Sequence, residues 1–308
     1  MRIGLHDADA EHLRGKTFPN YALMKISAWH KAKGDAVSWW TPLESGGFDA
    51  VYSGKVFSFT PENPYLPRGA IKGGTGYDAK SALPPEIDAT QPDYGIYPAY
   101  DSAIGFLTRG CPNACRWCVV PEKEGGIRPY RKWRELARPD SRKLVLMDNN
   151  VLASAHGIAE LESLAESGLA IDANQGLDAR LFNRRIADIC ARARWLKYIR
   201  FSCDTRAQIL DVLNAIGLLA LRGIKPHRIF IYLLVTEDIA DAEARVGAFR
   251  QYKSINLYAQ AERGAGIAPG RAQLEFAQRY VYKGLWRNGT WREYCAKRGL
   301  TGRGCGNG

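Results

Sequence analysis

Three cysteines, Cys111, Cys115 and Cys118, lie within the segment TRGCPNACRWCVVP. Thiolates bind zinc or the irons of an iron–sulfur cluster. A closed zinc site usually takes four ligands in two short pairs, but the other four cysteines of the chain are dispersed singly. Three thiolates on a cubane cluster leave one iron open to another ligand. The C-x3-C-x2-C spacing therefore favours a cluster site with an open position over a closed structural site.

The stretch CPNACRWC, after the strand-like AIGFLTRG, resembles the signature of the radical S-adenosylmethionine (radical SAM) superfamily. The resemblance implies that Cys111, Cys115 and Cys118 bind a [4Fe-4S] cluster. It also implies that the amino and carboxylate groups of SAM chelate the open iron. An electron from the cluster would cleave SAM to methionine and a 5′-deoxyadenosyl radical, which abstracts hydrogen from a substrate. Trp117, directly before the third cysteine, is assigned to cofactor binding.

Apolar segments alternate with amphipathic helices over the middle of the chain, which indicates a parallel sheet covered by helices. The predicted strands are 103–108, 143–148, 168–174, 197–204, 227–235 and 254–260. Six such units match the partial (β/α)6 TIM-like barrel of the radical SAM fold. The predicted fold class is α/β: this partial barrel, a smaller N-terminal Rossmann-like α/β domain and a helical C-terminal tail.

The predicted domains are 1–98, 99–260 and 261–308. The first is similar to the cobalamin-binding domain that precedes the barrel in one radical SAM class. That domain supplies a histidine within an Asp-x-His-x-x-Gly stretch, which this chain lacks. His6 is followed by DADA, and His30 lies in a predicted helix, where a surface position is expected. We therefore expect a degenerate domain that binds no cobalamin.

Polar residues follow each predicted strand, and in such barrels the chemistry lies at the carboxyl ends of the strands. The residues assigned to SAM binding are Asp148, Asn149, Asn150, Arg180, Ser202, Asp204 and Val235. The carboxylate and amide oxygens after the second strand suit the ammonium group of SAM. Ser202 and Asp204 match the place where family members bind the ribose or carboxylate, and Val235 resembles the adenine-binding stretch. Ordinary turn chemistry is the alternative explanation for these residues.

Composition and length bound the remaining possibilities. The chain has 308 residues, 46% of them hydrophobic, which is enough for a large core. It contains no apolar run long enough to cross a membrane, and its charged start does not resemble a secretory signal. A reducing cytoplasmic location without membrane association is expected, in which the cysteines are metal ligands or buried thiols rather than disulfides. The sequence shows no reductase domain, so an external one-electron donor of flavodoxin or ferredoxin type is implied.

The formal net charge of +11 is concentrated in two segments, 127–143 and 271–303, in which Lys and Arg alternate with Trp and Tyr. Such a mixture suits a nucleic acid, with Trp133 and Trp291 stacking on bases, although solvated helix faces explain it equally well. The leading prediction is a radical SAM enzyme of unknown substrate that acts on RNA, DNA or a nucleotide. The alternatives are a peptide or small-metabolite substrate, or a non-catalytic metal-cluster protein that binds nucleic acid.

Overall fold

The computed structural model describes residues 1–13, 18–263, 268–300 and 305. The chain divides into two compact units. Unit 1 comprises Met1–Ser102 and Val119–Gly125, and unit 2 comprises Ala103–Cys118 and Gly126–Gly308. Both units contain parallel sheets with intervening helices, so the α/β class predicted from the sequence is confirmed.

Unit 1 is built on one four-stranded sheet in which all neighbouring strands run parallel. Its strands are β1 (Arg2–Asp7), β2 (Ala36–Trp39), β3 (Ala50–Gly54) and β4 (Ile71–Gly73), in the spatial order β2-β1-β3-β4. The α-helices are α1 (Ala8–His12), α2 (Tyr21–Ala32), α3 (Pro85–Asp88) and α4 (Val120–Lys123), with 3₁₀ turns at Pro42–Gly47 and Tyr94–Ile96. Ile3 and Leu5 of β1 pack against Leu23 and Ile26 of α2 in a small apolar core.

The ends of α2 follow from its sequence. Asn20 caps the first turn, because its side-chain oxygen accepts a hydrogen bond from the Leu23 amide at 3.2 Å. Gly34, with φ of +83°, lies just beyond the helix in a conformation that favours glycine. The expected surface position of His30 is wrong. The ring is 5% exposed and hydrogen-bonds to Asp35 at 2.7 Å and to Tyr52 at 3.1 Å, because it lies on the face of α2 that turns towards the sheet.

The described residues of unit 2 form nine strands in three groups. The strands are β5 (Ala103–Gly105), β6 (Thr108–Arg109), β7 (Arg128–Pro129), β8 (Lys143–Leu146), β9 (Ala170–Ala173), β10 (Arg194–Trp195), β11 (Ile199–Ser202), β12 (Ile229–Val235) and β13 (Asn256–Ala261). One parallel sheet has the order β10-β9-β8-β5, and another has the order β11-β12-β13. β6 and β7 form a short antiparallel ribbon. A parallel bridge between Leu177 and Phe201 connects the segment after β9 to β11.

Helices lie between the strands of unit 2, as the alternating pattern predicts. They are α5 (Trp133–Leu136), α6 (Ala155–Ala165), α7 (Arg184–Arg192), α8 (Ile209–Ala220), α9 (Ile239–Ala248), α10 (Arg271–Glu275) and α11 (Trp291–Arg298), with a π-helix at Phe276–Val281. Short 3₁₀ turns occur at Val151–Ala153, Ala179–Leu181, Arg206–Gln208, Pro226–Arg228 and Leu285–Arg287. The six strands expected from the sequence correspond to β5, β8, β9, β11, β12 and β13, and their parallel pairing is confirmed.

The two sheets of unit 2 differ in how they are buried. All four residues of β9 are buried, which suits a strand covered on both faces. In β12 buried and half-buried residues alternate: Ile229, Ile231, Leu233 and Val235 lie in the core, and the residues between them face the other side. The β11-β12-β13 sheet therefore has one face in the core and one more open face.

The C-terminal helices pack into the same core as the strands. Trp286 is fully buried and Trp291 is 4% exposed, with its ring 5.1 Å from that of Phe276. The prediction that Trp291 stacks on nucleic acid is therefore wrong, because its ring packs into the hydrophobic core. Trp133 is half-buried, and its indole donates to Ser163 at 3.0 Å. The terminal stretch 301–308 lies outside the described residues except for Cys305.

In the part of the chain that the structure describes, no helix is both long and apolar enough to cross a lipid bilayer.

Candidate functional site

The three cysteines lie on one loop of unit 2, which follows β5 and β6. Gly110 immediately precedes Cys111 and has a φ of +79°, a conformation that L side chains rarely adopt. Cys111 and Cys115 are half-buried, Cys118 is exposed, and none of the three forms a disulfide. The amide of Cys118 donates to the carbonyl of Cys115 at 3.0 Å, which makes a tight turn between these two residues. The loop thus presents three thiols without tying any of them in a disulfide.

The sulfur of Cys111 accepts several N–H groups. The backbone amide of Asn113 lies 3.5 Å from it, and Nδ2 of the same residue lies 3.4 Å away. Nδ2 of Asn150, from the loop after β8, lies 3.7 Å away. Donors aimed at a sulfur stabilise its thiolate form, and around a metal site they tune the metal. Sequence reasoning missed Asn113, although its place between the first two cysteines is a signal that could have identified it.

Asp178 connects the cysteine loop to two other segments. Its Oδ2 accepts hydrogen bonds from Asn150 Nδ2 at 2.9 Å and from Asn113 Nδ2 at 3.3 Å. Arg180 pairs with it in a bidentate arrangement, at 2.8 and 2.7 Å. Burial raises the pKa of Asp178, but the hydrogen bond and charge of Arg180 outweigh it and leave the pKa below its usual value. Nothing in the local sequence distinguishes Asp178 from the other polar residues after β9.

The electrostatic environment of Cys115 includes residues from the loops after β9 and β11. Burial raises the pKa of the Cys115 thiol, and the positive charge of Arg180 partly offsets it. The negative charges of Cys111, Asp204 and Asp178 raise the pKa further, so the net shift is upward. A thiolate at this position therefore needs additional positive charge, which a bound metal supplies.

Asp148 accepts hydrogen bonds from the segment that leads into the cysteine loop. It is 4% exposed and accepts hydrogen bonds from the Leu107 amide at 3.1 Å, the Thr108 amide at 2.5 Å and Thr108 Oγ1 at 2.7 Å. Burial raises the pKa of Asp148 to about 6, although these hydrogen bonds act in the opposite direction. The residue thus fixes the segment between β5 and β6. Asn149, the next residue, is half-buried.

Asn150 has a buried acceptor without a partner. The residue is 3% exposed, and its Nδ2 contacts Asp178 and Cys111 as described above. Its Oδ1 is buried and accepts no hydrogen bond from any described residue. An unsatisfied buried acceptor costs free energy unless a donor reaches it, so this oxygen fits a ligand that carries N–H or O–H groups.

The remaining predicted residues lie at the ends of β11 and β12 or within the cysteine loop. Asp204 Oδ1 accepts the Leu234 amide at 2.9 Å, and burial raises the pKa of Asp204 in spite of hydrogen bonds from Leu234 and Ser202. The Val235 side chain is fully buried in the core, and its carbonyl accepts the Glu262 amide at 2.9 Å. Trp117 is half-buried, with the Arg116 guanidinium 5.8 Å from its ring centroid.

The structure therefore gathers part of the predicted site. Asn150 and Arg180 are linked to Cys111 through Asp178 and Asn113, and Asp204 lies within electrostatic range of Cys115. The segments follow β6, β8, β9 and β11, and β8 pairs in parallel with both β5 and β9, so polar residues from successive loops converge. The Val235 side chain belongs to the hydrophobic core of unit 2.

Within the described ranges, no group of three His, Cys, Asp or Glu side chains is close enough to hold a single metal ion. No known family model matches the chain, and no curated protein matches its sequence.

Proposed function

We propose that the protein is a radical SAM enzyme in which Cys111, Cys115 and Cys118 hold a [4Fe-4S] cluster. The observation that carries this proposal is the network around Cys111. Asn150 and Asp178, from two other loops of unit 2, reach the cysteine loop through direct hydrogen bonds. Three thiols that form no disulfide, together with convergent polar residues, suit a reactive centre better than a closed structural one.

The donor set fits the cofactor pair. The thiols form no disulfide and are half-buried or exposed, N–H groups already point at the sulfur of Cys111, and the buried Oδ1 of Asn150 has no donor among the described residues. When bound, the cluster and SAM supply one-electron cleavage of the sulfonium bond and a 5′-deoxyadenosyl radical. Asn150 Oδ1 is the acceptor that we assign to the ammonium group of SAM.

The surrounding residues orient the groups of the site and balance its charge. Asp178 holds the Asn113 and Asn150 amides in place, and Arg180 neutralises Asp178 while placing positive charge near Cys115. Asp148 keeps Thr108, and with it the start of the cysteine loop, in position. Ser202 and Asp204 extend the polar lining on the β11 side, where we assign them to the ribose or carboxylate of SAM.

The strand order supports a partial (β/α)6 barrel as the finer form of the fold. Strands β5, β8 and β9 are neighbours in one sheet, β11, β12 and β13 are neighbours in the other, and the Leu177–Phe201 bridge connects the two. This order follows the order along the chain, as a (β/α) barrel requires.

The proposal extends to the substrate and the partners. The net charge of +11 supports RNA, DNA or a nucleotide as the substrate. An external donor of flavodoxin or ferredoxin type would supply the electron. Unit 1 is proposed to bind no cobalamin.

The decisive experiment measures iron and SAM cleavage together. Anaerobically reconstituted protein is expected to contain about four irons per chain and, with dithionite, to release 5′-deoxyadenosine from SAM. Cys111→Ala, Cys115→Ala and Cys118→Ala should each lose both properties, while Cys190→Ala, a buried thiol in α7, should keep both. Iron retention without SAM cleavage, with a fourth protein ligand found by mutagenesis, would favour the non-catalytic cluster protein instead.

A further inference from the structure

A cleft of about 280 Å³ lies in unit 1, at the carboxyl ends of β1 and β2. The lining residues that matter chemically are His6, Asp7, Glu11, Trp39, Trp40 and Tyr97. Ligands of open parallel α/β sheets bind outside the carboxyl ends of the strands. The position of the cleft is therefore that of a ligand site, and every residue that lines it belongs to unit 1.

Aromatic rings form much of the wall. Trp39 and Tyr97 meet edge to face, with ring centroids 5.2 Å apart and planes at 71°. His6 and Trp40 form a second edge-to-face pair at 5.5 Å. Trp39 is 38% exposed, although a large aromatic ring on the last residue of a strand gains from burial. A bound ligand that covers Trp39 would supply that burial.

The charged groups in the cleft are acidic. Asp7 is 5% exposed and accepts hydrogen bonds from the Tyr97 hydroxyl at 2.8 Å and the Ala10 amide at 3.0 Å. Glu11 lies 2.8 Å from Nε2 of His6. Among the described residues that line the cleft there is no lysine or arginine, although the whole chain carries a net charge of +11. The lining of the cleft is therefore acidic, whereas the protein as a whole is basic.

Glu11 remains ionised at neutral pH. Partial burial raises its pKa, but hydrogen bonds from His6 and Asn63 outweigh the burial and leave the pKa below its usual value. The carboxylate is held towards one side by Asn63, whose Nδ2 lies 2.8 Å from Oε1. A fixed carboxylate beside aromatic faces is an arrangement that attracts a cation.

The indole of Trp40 is an independent observation that points to a ligand. It is 5% exposed and lines the cleft, yet its indole Nε1 finds no hydrogen-bond acceptor among the described residues. Buried indole N–H groups normally have a partner. A ligand that carries an oxygen acceptor next to its cationic group would satisfy it.

We propose that this cleft binds a small organic cation, an alkylated ammonium group with a neighbouring oxygen acceptor. Trp39, Trp40 and Tyr97 provide aromatic surface for the alkylated cation, Glu11 and Asp7 provide negative charge, and the indole of Trp40 donates to the oxygen. An anion is disfavoured by both carboxylates, and a purely apolar ligand would leave them desolvated without compensation. The site adds a binding function to unit 1 that does not depend on the proposed cluster chemistry.

The test uses the full-length chain and choline as the probe, measured by calorimetry and by saturation transfer to the choline methyl protons. Choline is expected to bind about tenfold more tightly than its uncharged isostere, in which a tert-butyl group replaces the trimethylammonium group. Tetramethylammonium, which lacks the oxygen, should bind more weakly than choline. Equal binding of choline and the isostere, or no binding of either at millimolar concentration, overturns the proposal.

Variants locate the site. Trp39→Leu should weaken choline binding about three- to thirtyfold, and Glu11→Gln about fivefold. Glu62→Gln, which makes the same change at an exposed residue paired with Lys72, should leave binding unchanged. Unfolding curves confirm that each variant is folded. Cys111→Ala should bind choline normally, so the cleft proposal is tested independently of the cluster proposal. Loss of binding in Glu62→Gln or Cys111→Ala but not in Trp39→Leu would place the ligand elsewhere and overturn the cleft proposal.

Discussion

Asn150 donates a hydrogen bond from Nδ2 to Oδ2 of Asp178 across 2.9 Å, although the two residues follow different strands of unit 2. The same Nδ2 lies 3.7 Å from the sulfur of Cys111. One amide group thus connects a carboxylate to a cysteine that we assign to a cluster. Its Oδ1 stays available for a donor.

Asn150→Ala should shift the reduction potential of the reconstituted cluster to a more negative value. The N–H donor at Cys111 stabilises the reduced, more negatively charged state, so its loss disfavours reduction. The size we expect is about 60 mV or less, equivalent to a tenfold change in a one-electron equilibrium. A redox titration followed by electron paramagnetic resonance measures it. Asn256→Ala, whose side chain bonds to the carbonyls of His227 and Ile229, is the matched control and should not shift the potential. An unchanged potential in Asn150→Ala contradicts the assignment.

Asp148 should give the protein a pH-dependent stability near pH 6. Burial raises the pKa of Asp148 to about 6, whereas an unfolded aspartate titrates near 3.9. The folded protein therefore holds the proton more tightly, so this contribution to stability is complete below about pH 3.9 and is lost as the pH rises through about 6. The difference corresponds to about 3 kcal/mol in the free energy of unfolding.

The comparison of wild type with Asp148→Asn isolates this contribution, because the other carboxyl groups are common to both proteins. Chemical unfolding between about pH 4 and pH 7 should show the wild type losing stability relative to the variant as the pH rises. Asp140→Asn, at an exposed carboxylate paired with Arg138, should show no such trend over that range. A flat difference between wild type and Asp148→Asn would show that Asp148 is ionised in the folded protein.

RNA and DNA should bind with a salt dependence that reports phosphate contacts. Each contact adds about 0.7–0.9 to the slope of log affinity against log salt. Lys132 and Arg134 are exposed at the start of α5. Reversing both to Glu should remove up to about two phosphate contacts, and the slope should become shallower by the amount that these contacts contribute. The matched control reverses Arg185 and Arg192, which pair with Glu162. If the wild type cleaves SAM but shows no detectable binding of RNA or DNA at low salt, the substrate is instead a peptide or a small metabolite.

Purification in the presence of hydroxocobalamin should yield protein without a corrinoid absorbance spectrum. The reason is the missing Asp-x-His-x-x-Gly stretch, together with the engagement of His30 by Asp35 and Tyr52. His6 is likewise bonded to Ser53 and Glu11. Stoichiometric corrinoid in the purified chain would refute the degenerate-domain prediction and suggest methyl transfer.

The sequence by itself determined the local features of this protein. The spacing of Cys111, Cys115 and Cys118 is a short-range pattern, and so is the alternation of apolar strands with amphipathic helices. The parallel α/β sheets follow from that alternation. Gly223, which follows α8 with a φ of +81°, is a local feature of the same kind, because glycine favours this conformation. Periodicity fixes which face of an element is apolar, and so it predicts element type well.

Only the tertiary structure decided which distant residues meet. Asn150 and Asp178 are separated by 28 positions, and nothing in their local sequence distinguishes Asp178 from its neighbours. Trp291 and His30 were placed at the surface from their neighbours in sequence, yet packing against other elements buries both. Burial also sets the pKa of Asp148 near 6 and leaves the Oδ1 of Asn150 without a donor. Desolvation and long-range contact arise when separate elements pack together, and local sequence carries no direct record of that packing.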